Sequence, residues 1–115
     1  PHQIEQAREK AFRSPVLMLA IVRTGSPGEE VPATERLLSA GCAVQNMLLM
    51  ATAMGYASSL TSGKALQSAG MRALFSITQD EQAVCFLSLG TAIRSKPSRQ
   101  RPEPGSYVFH LPADS

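Results

Sequence analysis

Three observations predict a single layered domain of sheet and helix. Short apolar runs bounded by Pro and Gly alternate with longer segments of helical period, in the order α-β-α-β-α-β followed by a tail. The longest helical segment, Pro32–Met54, is apolar on nearly all its sides. The chain has 115 residues, 43% of them apolar, which supplies one core and not two. A compact domain of this mass exposes about 6,000 Å² of surface, against roughly 18,000 Å² unfolded. Aromatic residues make up 5% and Trp is absent, so stacking platforms for bases are not expected. The formal charge of +2 gives no footprint for nucleic acid. No charged leader precedes a short apolar stretch with a cleavage site, and no apolar run is long enough to span a membrane. The cytosol is the default compartment. The chain begins at Pro1 without an initiator Met, as expected of a processed or trimmed chain or a fragment.

Residues 3–12 read as a short polar helix with Ile4, Ala7 and Ala11 as a weak stripe, ended by Pro15. Pro15–Arg23 (PVLMLAIVR) fits a strand buried on both faces. Thr24–Val31 is a solvent loop carrying Glu29 and Glu30. The Pro32–Met54 helix has Pro32 in its first turn, Glu35 near its positive end and Gly55 as a left-handed stop. Leu37, Leu38, Ala40, Val44, Met47, Leu48, Ala51 and Met54 cover more than one stripe, and Leu49 and Met50 extend the apolar surface. Two neighbouring layers of so short a chain hardly cover such a helix. It is therefore expected to pack on a sheet on one side and on a second subunit on the other. Ser39, Ala40, Gly41 and Ala43 form a small-residue patch suited to close approach.

Tyr56–Leu60 reads as a short strand, and Thr61-Ser62-Gly63 as a turn that also suits the cap of the next helix. That helix, residues 64–76, is expected to turn Leu66, Ala69, Ala73, Leu74 and Ile77 to the core, with Gly70 weakening it by roughly 1 kcal/mol. Thr78–Glu81 is a polar turn. Ala83–Leu89 is a second strand apolar on both faces, Ala83, Cys85, Leu87 and Leu89 alternating with Val84 and Phe86, and Gly90 ends it. From Thr91 the chain becomes a Pro-rich basic tail with Arg94, Lys96, Arg99 and Arg101. Its apolar ending, Tyr107, Val108 and Phe109, is expected to dock, an edge strand on a partner being one option.

No side-chain chemistry stands out. Cys42 and Cys85 lie in apolar runs and read as small reduced core residues. His2 and His110 sit near opposite termini and read as solvent-exposed. There is no CxxC, HExxH or GxSxG motif, no phosphate-binding Gly-rich loop with Lys, and no set of metal ligands. The carboxylates fall in solvated segments. What remains is Ser58–Lys64 (SSLTSGK), whose hydroxyls, Gly, Lys and helix start offer donors to a phosphate or a ring carbonyl, beside the end of a long apolar helix. An ordinary helix cap and a solvated basic tail account for the same residues.

The stretches RSPVLMLAIV, VPATERLLSAGCAVQNMLLMATAMGYASSLTSG and QAVCFLSLGTA, taken together over roughly residues 8–96, resemble the C-terminal part of the FMN-dependent nitroreductase family, in its small bacterial NAD(P)H branch. The resemblance implies an α+β layered fold, a central mixed sheet flanked by helices, with residues 1–115 a partial domain and 91–115 its extended tail. It implies a homodimer through helix 33–54 with FMN at the subunit interface. Hydride comes from NADH or NADPH, and electrons pass to a nitroaromatic or quinone-like acceptor. The cofactor carries the chemistry, in keeping with the lack of a catalytic side chain. The family's Trp-Arg-Ser-like cofactor contact before a Gly falls on Leu60, Thr61, Ser62 and Gly63. Leu replaces the aromatic and Thr the Arg, which removes a fork of donors. Lys64, or Arg94 or Lys96 of the tail, is left to carry the charge. The Arg-Ser segment that holds the FMN phosphate in the family has no counterpart here, so the N-terminal part of the fold is expected to be missing. Residues 1–115 alone are then expected to bind FMN poorly, and a submicromolar dissociation constant would refute that. The rival reading is a non-catalytic dimerisation or binding module that kept the scaffold and lost FMN.

Overall fold

The computed structural model describes residues 2–113, except for the side chains of Gln3, Ala7, Lys10 and Ala11. Three helices and three strands follow the expected order: α1 (His2–Phe12), β1 (Val16–Arg23), α2 (Ala33–Ala53), β2 (Ala57–Thr61), α3 (Ala69–Leu74) and β3 (Glu81–Gly90), with single 3-10 turns at Lys64–Gln67 and Pro104–Ser106. On α1, Ile4 and Phe12 are exposed. The other two members of its expected stripe, Ala7 and Ala11, lie outside the described side chains.

The sheet has the order β1-β3-β2, and both pairings are antiparallel. The mixed sheet expected above is therefore not formed among the described residues. β1 and β2 run the same way on either side of β3, with α2 as the crossover between them. This places the last strand at the centre, where it receives hydrogen bonds on both edges and buries Ala83, Cys85 and Leu87. β1 was expected to be covered on both faces. It is instead an edge strand of this sheet, with Val22 its one buried residue.

The expected alternation along β3 breaks at one place. Ala20 pairs with Cys85, but Ile21 pairs with Ala83, so Val84 is an extra residue in β3. A bulge of this kind moves the residues beyond it to the other face. Cys85 and Leu87 accordingly pack with Val44 of α2, flanked by Met18, Ala20, Leu48 and Val84. Ala83 lies on the opposite face with Leu66, Ile77, Leu19 and Phe86. One strand thus supplies two small cores.

α2 ends as its sequence foretells. Gly55 has φ +85°, Tyr56 N–H donates to the Ala51 carbonyl at 2.9 Å, and Gly55 N–H donates to that of Thr52 at 3.0 Å. That pair of bonds defines a Schellman stop, which a glycine accommodates without strain. Pro32 sits one place earlier than expected, as the N-cap. The helix expected over 64–76 is broken. Lys64–Gln67 is a 3-10 turn, and Ser68 then takes extended angles and accepts a hydrogen bond from Met71 N–H at 3.2 Å, capping α3. A serine at this position competes with helix continuation through its own side chain. Of the expected core face, Leu66 and Ile77 are buried, whereas Leu74 is 75% exposed.

The surface is far larger than one compact domain requires. The chain exposes 9956 Å², roughly 4,000 Å² above the area expected for its mass. Its radius of gyration is 18.3 Å, against about 13 Å for a compact chain of this length. Much of the excess lies on α2, where only Val44 and Ala51 are buried, and on the tail, where Tyr107, Val108, Phe109 and Leu111 are exposed. Cys42, expected in the core, is exposed on α2, while Cys85 is buried; both are free thiols.

Candidate functional site

Register decides what β2 presents. Ser58 pairs with Leu89 and Leu60 with Leu87, so both lie on the sheet face that carries α2. Thr61 pairs with Phe86 and lies on the opposite face. Leu60 is half exposed. Thr61 was expected in a turn but is the last residue of the strand. Beyond the strand, Gly63 has φ 161° and ψ 175°, ordinary extended backbone. A Cβ placed on Gly63 meets nothing within 4 Å, so the space beside it is open. Leu66 N–H donates to the Gly63 carbonyl at 3.2 Å, and no side chain caps the turn. The hydroxyls of Thr61 and Ser62 are thus not consumed as caps. Lys64 is exposed, and neither ion pair formed among the described residues includes it.

Neither ion pair formed among the described residues includes Arg94 or Lys96. β3 ends at Gly90, which pairs with Ala57 at the start of β2, while Thr61 pairs with Phe86. The tail therefore leaves at the opposite end of β2, about four strand residues or ~13 Å away. Both residues are exposed.

A feature that the sequence reading missed lies at that tail end of the sheet. A cleft of about 280 Å³ opens between the C-terminal half of α2 and the sheet. Met47, Met50 and Met54 of α2 line it with Met18 of β1, and Ser58 and Tyr56 bring its polar atoms. Four of the chain's five methionines converge here. The signal was present in the i, i+3, i+7 spacing of the three on α2, which puts them on one helix face. Nothing local announced Met18.

Charge is concentrated elsewhere. At the far end of β1, Arg23 Nε meets Asp80 Oδ2 at 2.7 Å. Thr78 donates its hydroxyl to the same carboxylate. These bonds, that from Thr78 first, hold the Asp80 carboxyl below its ordinary range. Glu29 of the adjoining loop is met by Arg36 in the first turn of α2, Nη2 to Oε2 at 2.6 Å. Gly25, at φ +80°, leaves room for that carboxylate, which lies 2.8 Å from where a Cβ would stand. On the α2 face, burial pushes the Cys85 thiol up, which keeps it protonated and unreactive. Among the described residues no three His, Cys, Asp or Glu side chains gather to hold a metal. No described helix is long and apolar enough to cross a membrane. The site thus offers an apolar cleft and a strip of uncommitted donors on the same sheet, with no acid–base pair.

A nitroreductase family model matches residues 3–91. The chain is 34% identical over 109 residues to "Putative NAD(P)H nitroreductase YdjA" of Escherichia coli, covering 94% of this chain and 59% of that protein. It is 26% identical over 91 residues to a "Putative NAD(P)H nitroreductase" of Haemophilus influenzae, covering 79% of this chain and 50% of that one. Among solved structures, a nitroreductase-like family protein from Bacillus cereus superimposes with a TM-score of 0.81 at 13% identity, over 96% of this chain and 59% of that one. A mutant of the FMN- and NADPH-dependent nitroreductase NfnB from sphigopyxis sp. strain HMH gives a TM-score of 0.70 at 18% identity, over 94% of this chain and 49% of that one. The chain spans 50–59% of the length of these curated relatives.

Proposed function

The chain belongs to the nitroreductase family, with its α+β fold, and on that premise we propose that it serves a cytosolic FMN-dependent oxidoreductase. That enzyme takes hydride from NAD(P)H and reduces nitroaromatic or quinone-like acceptors. When bound, FMN supplies the hydride acceptance and onward electron transfer. The protein's part is to bind and orient.

The donor set of the β2 exit fits such a cofactor. Thr61 and Ser62 carry hydroxyls free to meet ring carbonyls or phosphate. Gly63 leaves open space that a side chain would fill. Lys64 brings a cation one residue on, and half-exposed Leu60 offers an apolar edge. Thr61 stands where an Arg would give a bidentate fork, so phosphate binding leans on Lys64. Arg94 and Lys96, which leave at the other end of β2, contribute from a second copy rather than in cis.

The observation that carries this reading is the bare apolar face of α2 on the same side of the sheet as Leu60. Leu38 and Leu49 on its outer side, and Met50 and Met54 beside the cleft, are 58–71% exposed. A lone soluble chain rarely leaves so large an apolar surface uncovered. The surplus of roughly 4,000 Å² per chain is larger than the area of about 1,000–2,500 Å² that an obligate homodimer removes from each chain. A second copy seated on α2, with the tails reaching across, accounts for part of it, in a chain that spans 50–59% of its relatives' length.

The test is titration of the purified protein with FMN up to millimolar concentration, since residues 1–115 alone are expected to bind it weakly, followed by flavin fluorescence and then by NADPH oxidation with a nitroaromatic acceptor. FMN binding weakened about tenfold by Lys64→Ala is expected, and about tenfold strengthened by Thr61→Arg, the effect of one charge-assisted hydrogen bond. A dimer that takes up no FMN and oxidises no NADPH is instead the scaffold without the enzyme.

A further inference from the structure

We propose that Gln67 is a positioning residue for cofactor binding: its side-chain amide ties the turn that follows Thr61–Lys64 to the open edge of β3 and so fixes those donors in place. The proposal rests on the reading that Thr61, Ser62, Gly63 and Lys64 meet FMN.

The pairing of β2 leaves a gap along β3. β2 runs from Ala57, opposite Gly90, to Thr61, opposite Phe86. Residues 81–85 of β3 therefore have no strand beside them on that edge among the described residues. A buried backbone carbonyl so placed needs another donor. That of Ala83 finds one in Gln67, whose Nε2 donates to it at 3.4 Å. Ala83 is 3% exposed, so water serves that oxygen poorly once the amide is removed. The neighbouring Leu66 is buried and packs with Ile77 and Ala83, flanked by Leu19 and Phe86. Apolar contact holds the turn down but has no direction of its own. The hydrogen bond is directional and sets where along β3 the turn sits.

The candidate donors lie between two fixed points. Thr61 is held by its pairing with Phe86, and Gln67 by its bond to Ala83. Ser62, Gly63 and Lys64 fall between, and no side chain caps the turn at Gly63. A single 3-10 turn is marginal alone. The Ser68 hydroxyl donates to the Ala65 carbonyl and accepts from Met71 N–H, so it ties the turn to α3 and not to the sheet. Fixing both ends of so short a segment removes conformations that a ligand must otherwise freeze out. Gln67 thus acts through the strip rather than on the cofactor itself.

The test compares the parent chain with Gln67→Met, which keeps the length of the side chain and loses the donor. Gln67→Asn, whose amide stops one carbon short of Ala83, is expected to match it. Two readouts are taken: amide hydrogen exchange without cofactor, and titration with FMN up to millimolar concentration by flavin fluorescence. Exchange is expected to quicken about fivefold at Leu66 and Ser68, whose N–H groups donate to the Gly63 and Ala65 carbonyls, as for the loss of one hydrogen bond. Tyr56 N–H, which closes the end of α2, is expected to keep its rate. FMN affinity is expected to fall about fivefold. In a Lys64→Ala background Gln67→Met is expected to cost less than in the parent, since both act through one segment. Exchange unchanged at Leu66 and Ser68 overturns the proposal. So does exchange that quickens equally at Tyr56, which marks a general loss of stability, or an equal cost in the two backgrounds. A parent chain that takes up no FMN at millimolar concentration overturns the cofactor reading and the proposal with it. Failure of that reading shows in the parent, whereas failure of the Gln67 tie alone shows only in the variants.

Discussion

β3 and α2 are about equally apolar, and they meet opposite fates. β3 lies between two strands and under helix and turn, so three of its ten residues are buried and Leu87 is 1% exposed. α2 is twice as long and buries Val44 and Ala51 alone. Composition does not separate them; position does. A central strand finds cover from its own chain on both faces, whereas a crossover helix finds it on one side. Apolar residues on the outer side of α2 are therefore left uncovered by the described residues.

The largest expected effect lies in β3. Leu87→Ala should lower folding stability by about 3–5 kcal/mol in chemical denaturation, as expected where a buried leucine leaves a cavity. A loss below about 1 kcal/mol would show that β3 is not the centre of the core. The converse substitution is Leu49→Glu on the outer side of α2. It should change the stability of the monomer fold by no more than about 0.5 kcal/mol, yet weaken self-association about a hundredfold by setting a charge in an apolar contact. Equal effects of these two variants on folding would erase the contrast.

Smaller effects sharpen it. Ser68→Ala removes the hydroxyl that caps α3 and should cost about 1 kcal/mol, without touching self-association, since Ser68 lies on neither α2 nor the cleft. The smallest is a pH effect at the sheet end remote from the cleft. The bonds from Thr78 and Arg23 depress the Asp80 carboxyl in the folded state. Its contribution is therefore fully present above the ordinary carboxylate range and is lost as pH falls through the depressed value. Asp80→Asn should flatten the acid limb of the stability curve below about pH 4, while leaving pairing at neutral pH unchanged.

The order of elements, the extent of α2 and its Gly55 stop were legible in the sequence, because each rests on a local rule. Three features were not. The bulge at Val84 sends Ala83 to one core and Cys85 to the other, and a perfect period-two pattern on either side gives no sign of it. The break at Ser68 is set by one side chain bonding its own backbone, which outweighs the helical spacing of Leu66, Ala73 and Ile77. The sheet's order places the tail and the Thr61–Lys64 segment at opposite ends of β2, so residues grouped by charge in the sequence are separated by register. The cleft was invisible for a related reason: Met18 joins the α2 methionines through tertiary packing alone.

The claim on which the rest depends is that a second copy covers α2. Sedimentation equilibrium of the purified protein at micromolar concentration tests it directly. A mass of twice 12.3 kDa, falling toward the single-chain value for Leu49→Glu, is the result expected. A single-chain mass at the same concentration would contradict it.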